Sequence, residues 1–380
     1  MNMSRNLDQI IKHPSGNNFN MIRLFMSLGV LYNHSFVLFN PGGNSDWLNL
    51  VFKDFNSGEF AVSGFFLISG LLLSQSFHQT NGSLKFILKR IFRIFPALIA
   101  CIIFTVFIVG ALGTDLSLHE YYTSRGTFRY FYNIFLNNDY FFYSIPGSFE
   151  NNFFPNVING SLWTLPFELL CYISLFILLS FGYYLVFNSA KPLRKAILAG
   201  LALYFIFYIF SRPVLLDRIP KLFMGGEIEP YQQNGPLRLY LFFATGMALY
   251  FLRKYIPVNI FLLGSLLLLL GLKNYLPGTI VAHSIEYLNV VYILLFWAGL
   301  ERLNKFNWKV DPSYGIYLYA WPVQQVFSRF FNLSAYAGLL ATVPIVVALG
   351  VLSFIFIERP SLNLAGRIAL FLKSSTSRPF

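Results

Sequence analysis

The stretch 20-NMIRLFMSLGVLYNHSFVLF-39 decides the fold class. It has the ~20 residues that an α-helix needs to cross the hydrocarbon core of a bilayer, and its charged or near-neutral-titrating side chains are Arg23 and His34. A cleaved signal peptide would be shorter, would carry no such pair in its apolar region, and would be followed by small residues. Outward from this stretch, apolar runs recur at 58–78, 94–114, 161–184, 196–210, 237–252, 258–272, 285–301, 313–332 and 337–357. The ten-residue alternation of a β-barrel is absent. The expectation is an all-α polytopic transmembrane helix bundle of about ten spans.

Composition agrees. Of 380 residues, 56% are hydrophobic, 19% aromatic and only 12% charged, against roughly 25% charged in a soluble domain. A nucleic-acid partner is not expected: the formal charge of +12 arises from 28 basic and 16 acidic residues in a chain with 44 Phe. These values exclude a soluble globular enzyme, a disordered chain and a fibrous one. Cys101 and Cys171 both fall inside apolar runs, so neither a disulfide framework nor a metal cluster is expected.

Basic residues orient the spans. With the N-terminus cytoplasmic, the inner segments hold eighteen Lys and Arg and the outer ones seven. That bias is the positive-inside pattern, and an even number of spans leaves both termini cytoplasmic. Residues 1–360 then form the membrane-embedded domain and 361–380 a cytoplasmic tail. The segment 115–158 is a long outer loop, long enough to cover a substrate site. A second outer loop, 211–236, carries Gly225–Gly226 with Glu227 and Glu229.

Charge inside a span costs several kcal/mol and marks function when it faces the bundle interior. Eleven helical steps separate Arg23 from His34, bringing them within about 20° of one face and about 16 Å apart along the axis. A lone intramembrane His is as readily a hydrogen-bonded structural residue as a functional one, and the Arg on its face tilts the balance toward function. Glu168, in 161-SLWTLPFELLCY-172, is expected at a depth similar to His34. A carboxylate beside an imidazole fixes its tautomer and raises its basicity, which suits general-base work on an alcohol. Pairing of Glu168 with Arg238 or Arg329 is the structural alternative, and Glu286 reads as structural. In 85-KFILKRIFRIFP-96, Lys85, Lys89, Arg90 and Arg93 give a helix a basic face. On composition this is a positive-inside cluster; the functional alternative is a phosphate site, since Arg forks bind phosphate oxygens bidentately.

Together these motifs resemble the integral-membrane acyltransferase family 3, bacterial enzymes that move an acyl group from acyl-coenzyme A to sugar hydroxyls. The resemblance rests on the Arg23–His34 spacing, 58-GEFAVSGFFLISGLLL-73, 89-KRIFRIFP-96, 161-SLWTLPFE-168, 313-SYGIYLYAWPV-323 and Glu358-Arg359-Pro360, in that order along nearly the whole chain. It departs from the family pattern at Leu169, where a second Glu is common, and at Ala320, where a His is common.

The resemblance implies an O-acetyltransferase of the bacterial inner membrane, with acetyl-coenzyme A as cytoplasmic co-substrate and no metal. The acceptor would be an outer saccharide, on a cell-surface polysaccharide or lipid-linked sugar. It assigns His34 and Glu168 to catalysis and Arg23, Arg90 and Arg93 to the donor. Ser69 and Tyr317 are conceivable acyl carriers. With no appended hydrolase-like domain in view, transfer is expected within the membrane domain or with a partner. A transporter or flippase of a lipid-linked saccharide is the rival reading, and it has no need of a coenzyme A site at Arg90 and Arg93.

A reporter fused after Phe380 is expected to read cytoplasm, and one inserted within 115–158 to read the outside. Opposite signals would invert the assignment of donor and acceptor faces.

Overall fold

The computed structural model describes residues 5–12, 17–39, 46–52, 55–79, 83–137, 141–181, 200, 235–275, 279–301, 303 and 310–376. Among these the chain is almost wholly helical. One short two-stranded antiparallel ladder pairs Arg5–Asn6 with Pro257–Val258. The principal helices are α1 (Phe19–Phe39), α2 (Ser57–Gln79), α3 (Ser83–Phe104), α4 (Leu165–Phe181), α5 (Gly235–Leu252), α6 (Ile260–Leu272), α7 (Thr279–Ala298), α8 (Ser313–Phe330), α9 (Ala335–Ser353) and α10 (Arg359–Thr376).

Seven helical runs among the described residues are long and apolar enough to cross a membrane: Phe19–Phe39, Ser57–Gln79, Lys85–Gly113, Gly160–Ser180, Gly235–Leu252, Val281–Gly299 and Ala335–Leu372. The expected span at 196–210 and the loop at 211–236, with Glu227 and Glu229, lie outside the described residues save for residue 200 and the first two of α5. At 258–272 the helix is α6, 13 residues long, or about 20 Å. At 313–332 it is α8, which is not among the seven. Every residue from Ser313 to Gln325 is buried, so protein surrounds this helix, and its Tyr, Trp and Gln side chains find partners there.

The chain divides into two compact units. The first comprises Met1–Met26, Trp47–His78 and Phe167–Lys309. A capping box starts α2: the Asn56 side chain accepts from the Glu59 backbone N–H at 2.8 Å, and Glu59 accepts from that of Asn56 at 3.1 Å. Glu59 also pairs with Arg238 of α5 at 2.6 Å. Farther along, α2 and α5 touch backbone to backbone. A Cβ at Gly70 would stand 2.1 Å from the Phe243 carbonyl oxygen, and one at Gly246 would stand 2.0 Å from that of Leu67. Small residues let apolar helices approach this closely where lipid supplies no hydrophobic drive. Glu286 of α7 is buried against Lys273, which also donates to the Val51 carbonyl at 2.7 Å. Its expected structural role is thereby met.

The second unit comprises Ser27–Asp46, Gln79–Pro166 and Val310–Phe380. The basic stretch 85–93 and the third span form one helix. It continues from α3 through a wide π-type turn, Thr105–Val109, into a last helical turn, Gly110–Gly113. A second π-type turn, Phe354–Glu358, joins α9 to α10. The segment expected as a tail is thus helical to Thr376. α9 packs on α8 where Gly315 meets Gly350, and α10 packs on α3. The runs of 29 and 38 residues measure about 44 and 57 Å, more than the ~30 Å hydrocarbon core, so each extends past it. The described residues of the expected outer loop, 115–137 and 141–158, are folded: Tyr121 donates to the Val106 carbonyl at 2.7 Å, Asn133 and Phe142 exchange two hydrogen bonds of 2.8 Å, and the Phe149 ring covers Gly113.

Gly70→Ala and Gly246→Ala are each expected to lower the thermal midpoint of the detergent-purified protein, at about 1–3 kcal/mol of overpacking. Gly264→Ala and Gly366→Ala, where a Cβ meets nothing within 4 Å, should leave the midpoint unchanged or raise it slightly.

Candidate functional site

α1 is one continuous helix, so the shared face expected of Arg23 and His34 follows from its geometry. Arg23 is half-buried in the first unit and His34 half-buried in the second. The His34 ring meets Trp321 of α8 edge-on, with centroids 4.8 Å apart and planes at 77°. Its Nδ1 is buried and has no hydrogen-bond partner among the described residues. A buried polar atom is normally paired, and one left unpaired beside an aromatic wall is chemically available. An imidazole so placed can accept a proton from a group brought to it.

Trp321 is itself fixed on three sides. Its indole N–H donates to the Val157 carbonyl at 3.0 Å, Phe154 packs on its ring at 5.3 Å, and Gly160 lies against the six-membered ring, leaving no room for a Cβ. The next turns of α8 tie down its surroundings. Gln324 donates to the Leu31 carbonyl at 3.1 Å and Ser328 to that of Leu38 at 2.7 Å, which holds the His34 stretch of α1 against α8. Gln325 donates to the carbonyls of Phe154 and Val157 at 2.8 Å each, and accepts from Asn152 at 2.7 Å. The 161-SLWT-164 segment is held similarly: Asn159 caps it by accepting from the Ser161 N–H at 3.1 Å, and Tyr317 donates to the Ser161 carbonyl at 2.7 Å.

Glu168 sits in α4, in the first unit. Tyr172, one turn later, donates to its carboxylate. The two arginines considered as its structural partners are engaged elsewhere, Arg238 by Glu59 and Arg329 by Asp115 at 2.7 Å. The Asp115–Arg329 hydrogen bond, and then its charge attraction, hold the Asp115 carboxyl below its ordinary pKa.

The two arginines of the basic face differ. Arg90 is half-buried on α3, with its guanidinium over the Phe86 ring. Arg93 is clamped, donating to Glu358 at 2.9 Å and to Asp311 at 3.0 Å, with its side chain 13% exposed. Glu358, 1% exposed, also accepts from Ser353 at 3.2 Å. Asp311 accepts from the Ser313 hydroxyl at 2.5 Å. Gln325 and Asp311 are absent from the sequence reading, and Trp321 and Glu358 enter it only as parts of family motifs, without a role. The signals were present: Gln324–Gln325 in an otherwise apolar helix, and an acidic residue closing an apolar run at 358.

A family model described as an acyltransferase domain, that of acyltransferase family 3, matches residues 17–357. A protein of Shigella phage Sf6 named O-acetyl transferase is 29% identical over 349 residues, covering 90% of this chain and 95% of the relative. A Rhizobium leguminosarum bv. viciae protein named Nodulation protein 10 is 26% identical over 372 residues, covering 93% of this chain and 95% of its own. No solved structure matches significantly.

Removing one partner of a buried, hydrogen-bonded ion pair costs about 3–5 kcal/mol. Arg93→Ala and Glu358→Ala are each expected to lower the thermal midpoint clearly, and the double variant little further. Arg93→Lys should recover only part, because the fork is lost. An unchanged midpoint with a raised KM for acetyl-coenzyme A would make Arg93 a donor contact and no clamp.

Proposed function

Since the chain belongs to acyltransferase family 3, a family of multi-pass membrane acyltransferases, we propose that it is an O-acyltransferase of the bacterial inner membrane. It moves an acetyl or other short acyl group from acyl-coenzyme A, on the cytoplasmic side, to a hydroxyl of a cell-surface polysaccharide or lipid-linked sugar. Ten spans with both termini cytoplasmic are part of the proposal and rest on the basic-residue bias. The relative named O-acetyl transferase favours acetyl.

The observation that carries the reading is the buried, unpartnered His34 Nδ1 against Trp321. In the proposed mechanism this nitrogen takes the proton of the acceptor hydroxyl as its oxygen attacks the acyl carbonyl. The carbon–sulfur bond then breaks, and the coenzyme leaves as a thiol on taking up a proton. Trp321 and its packing keep bulk water from the imidazole, which protects the thioester from hydrolysis. Glu168, hydrogen-bonded by Tyr172, is the second group proposed to serve catalysis. Arg23, Arg90 and Arg93 are assigned to the donor. Arg90 is the principal phosphate contact, and Arg93 contributes what Glu358 and Asp311 leave of its fork.

Removing a general base costs typically 10²–10⁴-fold in rate. His34→Ala is therefore expected to abolish measurable transfer while equilibrium binding of acetyl-coenzyme A persists, and Glu168→Gln to slow the chemical step. Near-normal turnover by a folded, membrane-inserted His34→Ala protein would return His34 to a structural role.

A further inference from the structure

In the second unit, where the end of α8 meets Asp115 and Asn151–Phe153, lies a recess of about 690 Å³. That falls within the roughly 300–1,000 Å³ of small-molecule sites. Its polar groups are already arranged. Arg329 donates to Asp115 at 2.7 Å, and Asn151 donates to the other Asp115 oxygen at 3.3 Å. Among the described residues, Asp115 takes one of the five N–H donors of the Arg329 fork. Phe153 and Phe330 flank these groups with half of each side chain exposed, 51% and 56%.

This combination selects for a kind of ligand. The charges of Arg329 and Asp115 cancel locally, so neither an anion nor a cation is favoured. Planar amide, carboxylate and guanidinium groups suit pairs of neighbouring hydroxyls, while exposed Phe rings suit the C–H faces of a pyranose. A phospholipid headgroup would call for unpaired positive charge, and an acyl chain would call for no polar group.

Two hydrogen-bonded links join the recess to the site. Ser328, on its wall, donates to the carbonyl of Leu38, four residues and about 6 Å along α1 from His34. Asn152 donates to Gln325, one turn from Trp321. We propose that the recess is an acceptor subsite for a neutral sugar unit adjoining the one acylated, with Arg329, Asn151 and Phe330 as residues that set acceptor specificity. This rests on the reading of the protein as a glycan O-acyltransferase.

The test uses the full-length protein in detergent or nanodiscs. Acetyl-coenzyme A is the donor, and the acceptors are oligosaccharides released from the cell's own surface polysaccharide and stripped of esters with mild alkali. Arg329→Gln is expected to raise the KM for a di- or trisaccharide roughly tenfold, the size of a lost charged hydrogen bond, and Asn151→Ala and Phe330→Ala to raise it roughly threefold. The kcat and the KM for acetyl-coenzyme A should hold, the signature of uniform binding. Phe330→Tyr, which keeps the aromatic face, should recover most of what Phe330→Ala loses, and a monosaccharide acceptor should not sense any of the substitutions. An unchanged oligosaccharide KM overturns the proposal, as does an equal loss with the monosaccharide. If the unsubstituted protein transfers acetyl to no glycan, the acyltransferase reading fails on its own. Saturation-transfer NMR with the same oligosaccharides then decides the recess: binding weakened by the three variants upholds it, and absence of binding overturns it.

Discussion

A guanidinium inside a membrane protein is tolerable only where its charge and its donors are met, and Arg93 is met by two carboxylates from distant parts of the chain. Taking such ions out of water costs several kcal/mol each, and their attraction repays this only when the remaining lone pairs are also satisfied. Here they are, since Ser353 serves Glu358 and Ser313 serves Asp311. Asp311 lies two residues before α8 and Glu358 immediately precedes α10. A single residue of α3 therefore fixes where both later helices begin. The placement of α8 in turn fixes Trp321, and Trp321 fixes the wall against which His34 lies.

The candidate base thus stands on a helix and faces another helix, and the 152–160 stretch that reaches the site is itself hydrogen-bonded to that helix. Rigid supports hold a reacting group within the tolerance that chemistry demands better than mobile ones do. Backbone carbonyls supply much of the stitching. Leu31, Leu38, Phe154 and Val157 each accept from a side chain of α8 or from the Trp321 indole. These contacts depend on donors in α8, two of them Gln, so the helix carries polarity for internal bonding that a lipid-facing helix could not afford.

Much of this architecture was legible in the residues. The apolar runs gave the helices, the eleven-step spacing gave the common face of Arg23 and His34, and the ordered motifs gave the family. What stayed hidden is non-local. The partners of Arg93 lie 218 and 265 residues away, and no periodicity in 85–96 separates a clamped arginine from its half-buried neighbour Arg90. Arg238 and Arg329 could each have paired with Glu168 by depth alone, and only the fold shows them taken by Glu59 and Asp115. The burial of α8 by protein was equally hidden, because an apolar run does not tell burial by protein from burial by lipid.

The π-type turn Phe354–Glu358 has a further bearing on what this chain can tolerate. Ahead of it the helix meets α8, and beyond it the helix meets α3. The turn holds one extra residue in i→i+5 bonding without breaking the helix. Deleting one residue ahead of Glu358 would let i→i+4 bonds replace them and leave everything from Arg359 onward near its present orientation, because the wide turn had absorbed that residue. The same deletion in the ordinary winding on either side would swing all that follows by about 100°. Along these five positions, then, the chain tolerates a change of length that its neighbours do not.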